Sequence, residues 1–348
     1  MKVKGIIGAL SLGLLTFGSS ASWAAEVATT APVSIAGAVE IWKNPAEVGT
    51  PVGKRDATTV KFALEAMELE GILDAAKKTT FTYWTFNGKV PGPMLRAREG
   101  DTIEITLSNS KDSTVTHNID LHAVWGQGGG AAATNVAPGE TKSFVFKATT
   151  PGLFVYHCAT PIIPQHISSG MYGLILIEPK GGLPKVDKEF YMMQGEIYTD
   201  NARTGHRAFD VPSMLEEHPT DVVINGSRMA LANNPMKVKL NDTVRVFFGV
   251  GGPNLTSAFH AIGTIFDKVY PEAAIGDVHK NIQTTVVPPG GATMVEFNAR
   301  VPAKYIFVDH ALSRFAKGNA AIMVAEGDEQ PKVFRTGKLD AAAPAAKK

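Results

Sequence analysis

The sequence predicts an all-β protein built from two tandem Greek-key β-sandwich domains. Its strand-like segments are short, alternate polar with apolar residues, and are rich in Val, Ile, Thr and Phe. Gly, Pro and Asn separate these segments, which is typical of antiparallel strands joined by tight turns. Few segments show the competing periodicity of a helix.

The chain also repeats itself weakly, and this repeat predicts two copies of one domain. The segment Phe86-Asn-Gly88 recurs as Ile224-Asn-Gly226. Three longer strand-like segments recur in the same order: Gly100–Leu107 as Asn241–Phe248, Pro138–Phe146 as Pro289–Phe297, and Pro151–Cys158 as Pro302–Ala311.

These patterns divide the 348 residues into five parts. An apolar content of 44% is enough for two hydrophobic cores, and Gly181–Pro184 is a predicted linker between them. The predicted parts are a signal peptide (1–24), an N-terminal arm (25–57), a first domain (58–180), a second domain (187–327) and a mobile C-terminal tail (328–348). The arm has no function that the sequence reveals.

The N-terminus predicts export. Two lysines precede an apolar run that ends near Phe17, and Ser22-Trp23-Ala24 offers small residues for cleavage near Ala24. A membrane anchor is the alternative, but the run is shorter than the roughly 20 residues that a span needs. With no cysteine at the cleavage site, we expect no lipid anchor and a protein that is soluble in the periplasm.

The charge balance excludes one class of partner. The chain has 34 Lys and Arg against 33 Asp and Glu, with no basic stripe, so we expect no nucleic-acid binding. Gly128-Gly129-Gly130 is not followed by the Lys-Ser/Thr of a phosphate loop and is interpreted as a flexible surface turn.

The only cysteine lies in the most informative segment of the chain. Cys158 ends a strand-like segment, His166 and Met171 follow closely, and His117 lies upstream. A thiolate, two imidazoles and a thioether are the ligands of a blue-copper (type 1) electron-transfer site. A buried cysteine and a core methionine that meet histidines by chance are the alternative. Metal binding also explains a free thiol in an exported protein.

A second metal site is predicted next to the first. Neighbouring residues of a strand point to opposite faces, so His157 points away from the metal that Cys158 reaches. His122 and Asp120 belong to the same upstream segment as His117. In the second repeat Ala311 replaces the cysteine, which leaves the preceding imidazole, His310, free to be a third ligand. Three imidazoles with an open position are typical of a catalytic metal site.

Taken together, the motifs resemble the two-domain copper nitrite reductases, which form nitric oxide and belong to the multicopper oxidase and cupredoxin superfamily. The resemblance covers Thr58 to Glu326. The short spacing from Cys158 to His166 is similar to that of a subgroup with outer-membrane lipoprotein members, although this chain lacks the lipid-bearing cysteine. The matching motifs are Thr116–His122, Tyr156–Cys158 with His166 and Met171, Ser257–Gly263, and Val308–His310.

The resemblance implies paired cupredoxin domains, a homotrimer and two coppers per chain. It implies a type 1 copper held by His117, Cys158, His166 and Met171. It implies a type 2 copper at a subunit interface, held by His122 and His157 of one chain and His310 of the next.

The resemblance also implies the reacting groups. Asp120 and His260 would be the acid–base pair beside the type 2 copper, and Ile262 would shape the pocket above it. Alternatively, Asp120 only orients a ligating histidine. Trp125 stands where the family usually carries a small residue, and it either narrows the approach to the type 2 copper or packs on its own loop.

The implied reaction is the one-electron, two-proton reduction of nitrite to nitric oxide and water, with a place in denitrification or in detoxification. A small cupredoxin or a cytochrome c is the implied electron donor. Three other functions compete: a multicopper oxidase, which needs His-x-His pairs that this chain lacks; a carrier with a blue copper alone; and a zinc hydrolase. Two coppers per chain would favour the reductase over the carrier.

Overall fold

The computed structural model describes residues 35–338. The predicted signal peptide (1–24), the start of the arm and the end of the tail (339–348) lie outside the described residues.

The first β-sandwich consists of two sheets. Sheet 1 has the strand order β10-β2-β1-β4-β6, and sheet 2 has the order β3-β8-β7-β5. Strand β10 (Gly205–His206) comes from the second half of the chain and pairs with β2. The strands of the first half are β1 (Thr59–Asp74), β2 (Thr79–Phe86), β3 (Leu95–Arg98), β4 (Thr102–Asn109), β5 (Asp120–Leu121), β6 (Thr141–Lys147), β7 (Gly152–His157) and β8 (Tyr172–Glu178).

The second β-sandwich also consists of two sheets. Sheet 3 has the order β11-β9-β13-β18-β15-β16, and sheet 4 has the order β12-β20-β19-β14-β17. The strands of these two sheets are β9 (Lys188–Ile197), β11 (Asp221–Ile224), β12 (Met236–Lys239), β13 (Thr243–Gly252), β14 (Ser257–Ile262), β15 (Phe266–Tyr270), β16 (His279–Ile282), β17 (Thr284–Val287), β18 (Ala292–Asn298), β19 (Ala303–Asp309) and β20 (Ala321–Glu326).

Helices are short and lie between strands. Across residues 35–338, none is long and apolar enough to cross a bilayer. They are α1 (Ile163–Ser168), α2 (Val211–Leu215), α3 (Ala230–Asn233), α4 (Ser313–Ala316) and two 3₁₀ segments, Gln127–Ala133 and Pro271–Ala273.

The buried apolar residues form three clusters, each of which lies between two neighbouring sheets. One cluster fills the first sandwich and includes Ile103 of sheet 1 and Ile175 of sheet 2. A second fills the other sandwich. The third contains Leu174 of sheet 2 and Phe247 of sheet 3, so the two inner sheets pack on each other. Strand β8 is therefore buried along its whole length, because both of its faces are covered.

The repeated segments form strands in both sandwiches, but the two copies lie in different positions among the sheets. β4 and β6 form part of the outer sheet 1, whereas their repeats β13 and β18 lie in the inner sheet 3. The burial patterns follow: β6 is mostly exposed, and all but the last residue of β18 is buried. The boundaries predicted at 180 and 187 fall between β8 and β9 and stay predictions.

The described part of the arm, 35–57, packs on the sandwiches. Val39 bridges to Gly71, and Trp42 bridges to Val90. Ile41 is fully buried in the cluster between sheets 2 and 3. The arm therefore contributes to this buried cluster, a role that sequence analysis did not assign to it.

The glycine run at 128–130, interpreted as a flexible surface turn, lies at the surface only in part, since Gly128 is exposed and Gly129 is half-buried. All three glycines have positive φ angles and form a kink within the segment Gln127–Ala133, and Gly130 is buried there. A Cβ at Gly130 would lie 2.3 Å from the ring of Phe144, so the close approach of the loop to β6 requires glycine. Residues 328–338 of the predicted tail form no strand or helix and are mostly exposed.

A buried ionic network crosses the boundary between the sandwiches. Glu189 of β9 accepts hydrogen bonds from Arg96 of β3 at 2.7 Å and from Arg245 of β13 at 2.8 Å. The side chains of Arg96 and Arg245 are 3% and 2% exposed. Glu178 and Glu296 complete the network at 2.5 Å from the two guanidinium groups. The opposite charges compensate for the loss of hydration that burial imposes.

We expect Glu189→Gln to lower the free energy of unfolding by about 3 kcal/mol, because it leaves two buried guanidinium groups with one carboxylate fewer. The midpoint of urea unfolding measures this. Glu104→Gln is the matched control. Its partner Lys61, at 3.1 Å, is 69% exposed and Glu104 is 30% exposed, so this pair should contribute less than about 1 kcal/mol. Equal shifts in the two variants would contradict a role for the network.

Candidate metal centres

The first candidate centre lies inside the first sandwich. The ligand atoms of His117, Cys158 and His166 all lie within 4.8 Å of one another. The Cys158 Sγ is 3.3 Å from the His166 Nδ1 and 3.9 Å from the His117 Nδ1, and the two Nδ1 atoms are 3.3 Å apart. One thiol and two imidazole nitrogens therefore converge on one point.

Local structure places each of these side chains. Cys158 directly follows β7, and its backbone N–H donates to the carbonyl of Met171 at 3.1 Å. The Met171 N–H in turn donates to the carbonyl of His166, which is on α1, at 3.2 Å. His117 is held by a two-way backbone bridge to Val136. Three of the four predicted residues, His117, Cys158 and His166, are thus brought together. The fourth, Met171, is joined to Cys158 through the backbone and is fully buried in the same cluster.

Burial prepares the first centre for a metal. It lowers the pKa of His117 to about 4 and, with His117 nearby, that of His166 to about 3. Both imidazoles are therefore neutral at neutral pH, with lone pairs available for a metal. Burial also raises the pKa of the Cys158 thiol, although its hydrogen bonds with Asn118 and Thr160 oppose this. A bound cation would deprotonate that thiol. This donor set fits copper.

The second candidate centre lies on the other side of the same strand end. Asp120, His122 and His157 have ligand atoms within 4.8 Å of one another. The Nε2 atoms of the two histidines are 3.2 Å apart, and an Asp120 oxygen is 4.0 Å from the His157 Nε2. The His157 Nδ1–H donates to the Cys158 carbonyl at 3.0 Å. Its Nε2 is therefore the nitrogen with a lone pair.

Strand alternation separates the two centres. Cys158 belongs to the cluster inside the first sandwich. Val155 belongs to the cluster between sheets 2 and 3, and His157 is two residues further along β7 on that same face. Asp120 lies directly opposite His157 across the β5–β7 pairing, which puts the carboxylate beside it.

A third group of predicted site residues lies on sheet 4. The rings of His260 and His310 have centroids 5.3 Å apart. The His260 Nδ1–H donates to the Gln283 carbonyl at 2.6 Å, and Ile262 is 43% exposed two residues further along β14. Within residues 35–338, His310 belongs to neither cluster of candidate ligands. One chain by itself therefore does not place His310 with His122 and His157.

Two glycines that sequence analysis missed contact the second centre. Gly129 has a left-handed φ of +63°, and a Cβ there would lie 1.7 Å from the Asp120 Oδ1. Gly290, from the second sandwich, lies against His122, with an added Cβ 3.3 Å from its Cε1. The run of three glycines was the signal for the first contact, but no local pattern indicated which side chain it meets.

Comparisons with known proteins found a matching family model and similar copper proteins. A family model described as multicopper oxidase matches residues 71–182. The chain is 48% identical over 311 residues to a copper-containing nitrite reductase of Neisseria meningitidis, covering 86% of this chain and 80% of that protein. It is also 48% identical to one of Neisseria gonorrhoeae, covering 84% and 75%.

The chain belongs to the copper-containing nitrite reductase family. A solved copper nitrite reductase of Nitrosomonas europaea is 34% identical, with a TM-score of 0.71 over 79% of this chain and 96% of that one. The family resemblance and the fold class that the sequence predicted are both confirmed.

Trp125, where sequence analysis expected a departure from the family pattern, lies at the surface. The residue follows His122 by three positions and is 82% exposed. Little of its indole ring therefore packs on the loop of its own chain, which was one of the two interpretations of this residue.

For the first centre, we expect Cu(II) added to the metal-free protein to produce an intense visible thiolate-to-copper band. We expect Cys158→Ser to abolish the band, because a hydroxyl does not replace the thiolate. His157→Ala is the control and should keep the band, since its imidazole points to the other face. Absorption titration with a copper count measures both variants. A band that survives in Cys158→Ser would contradict the assignment of the ligand.

Proposed function

We propose that this chain is a nitric-oxide-forming copper nitrite reductase that carries two coppers. The reaction is NO₂⁻ + e⁻ + 2H⁺ → NO + H₂O. The observation that supports it most strongly is the pair of clusters on opposite sides of the His157–Cys158 peptide. Membership of the family supports the choice of metal and substrate.

The proposed type 1 ligands are His117, Cys158, His166 and Met171. The proposed type 2 ligands are His122 and His157 of one chain and His310 of the next. Bound copper would supply an electron relay at the first site and an open cationic position for nitrite at the second. The protein residues keep the first site dry, since Cys158 and His117 are fully buried, and leave the second accessible, since His122 is exposed.

A homotrimer is the proposed assembly. It rests on the incomplete second site: two imidazoles and a carboxylate on the first sandwich, and two further imidazoles on sheet 4. Each group is at least partly exposed. A neighbouring copy that brings His310 to His122 and His157 would complete three imidazoles with an open position.

Asp120 and His260 are the proposed proton donors. Asp120 is close enough to the His157 Nε2 that its carboxyl group can hydrogen-bond to a nitrite oxygen bound beside that nitrogen. His260 commits its Nδ1–H to the Gln283 carbonyl, so its Nε2 is the atom that takes up and releases a proton. Ile262, exposed on the same strand, is the proposed apolar wall of the nitrite pocket.

The proposed setting is the periplasm, after cleavage near Ala24, with denitrification as the pathway and a small cupredoxin or a cytochrome c as donor.

The direct test of the proposed function is an anaerobic assay. Copper-loaded protein, a reduced donor and nitrite should yield nitric oxide, with two coppers per chain by elemental analysis. A chain that holds one copper and forms no nitric oxide would be an electron carrier instead.

We expect Asp120→Asn to lower turnover at least about 100-fold, the low end of general acid–base effects, while the visible copper band is unchanged. Steady-state nitrite reduction, with the absorption spectrum beside it, measures this. Gly129→Ala should act in the same direction, because its Cβ would displace the Asp120 carboxylate. Gly128→Ala is matched to it, with a left-handed φ of +58° and its nearest neighbour at 3.8 Å. Near-normal turnover of Asp120→Asn would exclude the proton-donor role.

We expect His310→Ala to retain the visible band but to hold one copper per chain instead of two, with loss of nitrite reduction. His218→Ala is the control, because that imidazole is exposed and pairs with Glu216 at 3.6 Å, outside every candidate site. Copper analysis and the assay measure both. Full copper occupancy in His310→Ala would show that the third ligand is a different residue.

A further inference from the structure

We propose that the Glu68 carboxylate, through the far side of the His117 imidazole, sets the reduction potential of the type 1 copper. This inference rests on the proposed type 1 site and adds a positioning and tuning residue to it. Glu68 lies on β1, outside every motif that predicted the centre.

Only one of the two ring nitrogens of His117 faces the proposed copper site. Its Nδ1 faces Cys158 and His166. Its Nε2 is buried and has no hydrogen-bond partner among the described residues. When Nδ1 binds a metal, the neutral ring carries its proton on Nε2, so a donor points into the protein interior there. Metal-ligating histidines ordinarily direct that N–H at a carboxylate or a carbonyl.

Glu68 is the carboxylate on that side. Its Oε1 lies 4.0 Å from the His117 Nε2, and its side chain is 12% exposed. That separation is longer than a hydrogen bond. The interaction is therefore that of a charge beside the ring rather than a hydrogen bond. The His117 ring is fully buried and the Glu68 side chain is 12% exposed, so the negative charge is screened less at this distance than it would be in water.

Fixed donors hold the carboxylate in place. The Thr114 N–H donates to Oε1 at 2.7 Å, its hydroxyl donates to Oε2 at 2.9 Å, and the Val115 N–H donates to Oε1 at 3.3 Å. All of these contacts are donors, which is the environment of an ionised carboxylate. The same contacts tie the segment that leads into His117 to strand β1.

The His117 ring is also in contact with Trp84. Trp84 lies directly opposite Glu68 across the β1–β2 pairing, so both side chains project from the same face. The Trp84 indole packs edge-on at 4.6 Å from the His166 ring and at 5.7 Å from the His117 ring. One cross-strand pair thus limits the orientation of His117 and places a negative charge behind it.

The Glu68 charge would change the reduction potential of the type 1 copper in a definite direction. A carboxylate behind a neutral imidazole makes the ring a stronger electron donor to its metal, and negative charge favours Cu(II) over Cu(I). Removing the charge should therefore raise the reduction potential. The axial Met171 acts on the same quantity from another direction, so Glu68 would be a separate means of adjusting it.

The test is a spectroelectrochemical titration of the visible band in the copper-loaded full chain. We expect Glu68→Gln to shift the Cu(II)/Cu(I) equilibrium toward Cu(I) at least about tenfold, which is about 59 mV upward for one electron. Glu68→Asp keeps the charge but withdraws it by one methylene, so we expect a smaller upward shift. If Glu68→Gln fails to fold or to bind copper, the Asp variant decides by itself, and an unchanged potential would overturn the inference.

Two controls separate tuning from a merely structural role. Glu70→Gln removes the same charge two residues along β1, where Glu70 pairs with the exposed His206 at 2.9 Å, and should leave the potential nearly unchanged. Thr114→Val keeps the Glu68 charge but loses the hydroxyl contact, and should not raise the potential. An equal rise in Thr114→Val and Glu68→Gln would make Glu68 a loop tether only. A native protein without the visible band would instead refute the type 1 site itself.

Discussion

The alternation of side chains at the end of β7 is the constraint on which the candidate sites depend. Two consecutive residues, His157 and Cys158, point to opposite faces because a strand permits nothing else. One face belongs to the interior of the first sandwich, and the other faces the second sandwich. A buried thiol and an accessible imidazole are thus adjacent in the chain. A one-residue shift in the register of β7 would exchange their environments.

Tight packing serves the two centres in different ways. At the first, burial keeps the imidazoles of His117 and His166 neutral, and the Trp84 ring packs against both. At the second, Gly129 and Gly290 bring backbone up to Asp120 and His122 without filling the open side. The Glu189 network between the inner sheets holds the two sandwiches in one arrangement, and that arrangement sets where Gly290 meets His122.

Much of the architecture was predictable, because it follows from local patterns. Alternation of apolar residues indicated the strands, and the repeats indicated two sandwiches. The exchange of outer and inner sheets between the copies was not predictable, although the burial of β18 against the exposure of β6 makes it plain. One face of β6 is exposed, whereas both faces of β18 are covered. The residues that cover the second face of β18 are distant in the chain, so its own sequence does not indicate them.

By itself, the sequence determined the chemical identity of the donors. A single cysteine followed by His166 and Met171 restricts the possible metals, because ligand softness is a property of the residues themselves. Tertiary structure alone decided what surrounds them: the Asp120 carboxylate under Gly129, the Glu68 charge behind His117, and the separation of His310 from the other two imidazoles. Those contacts join strands and loops distant in the chain, and their distances depend on how four sheets pack, which no short segment encodes.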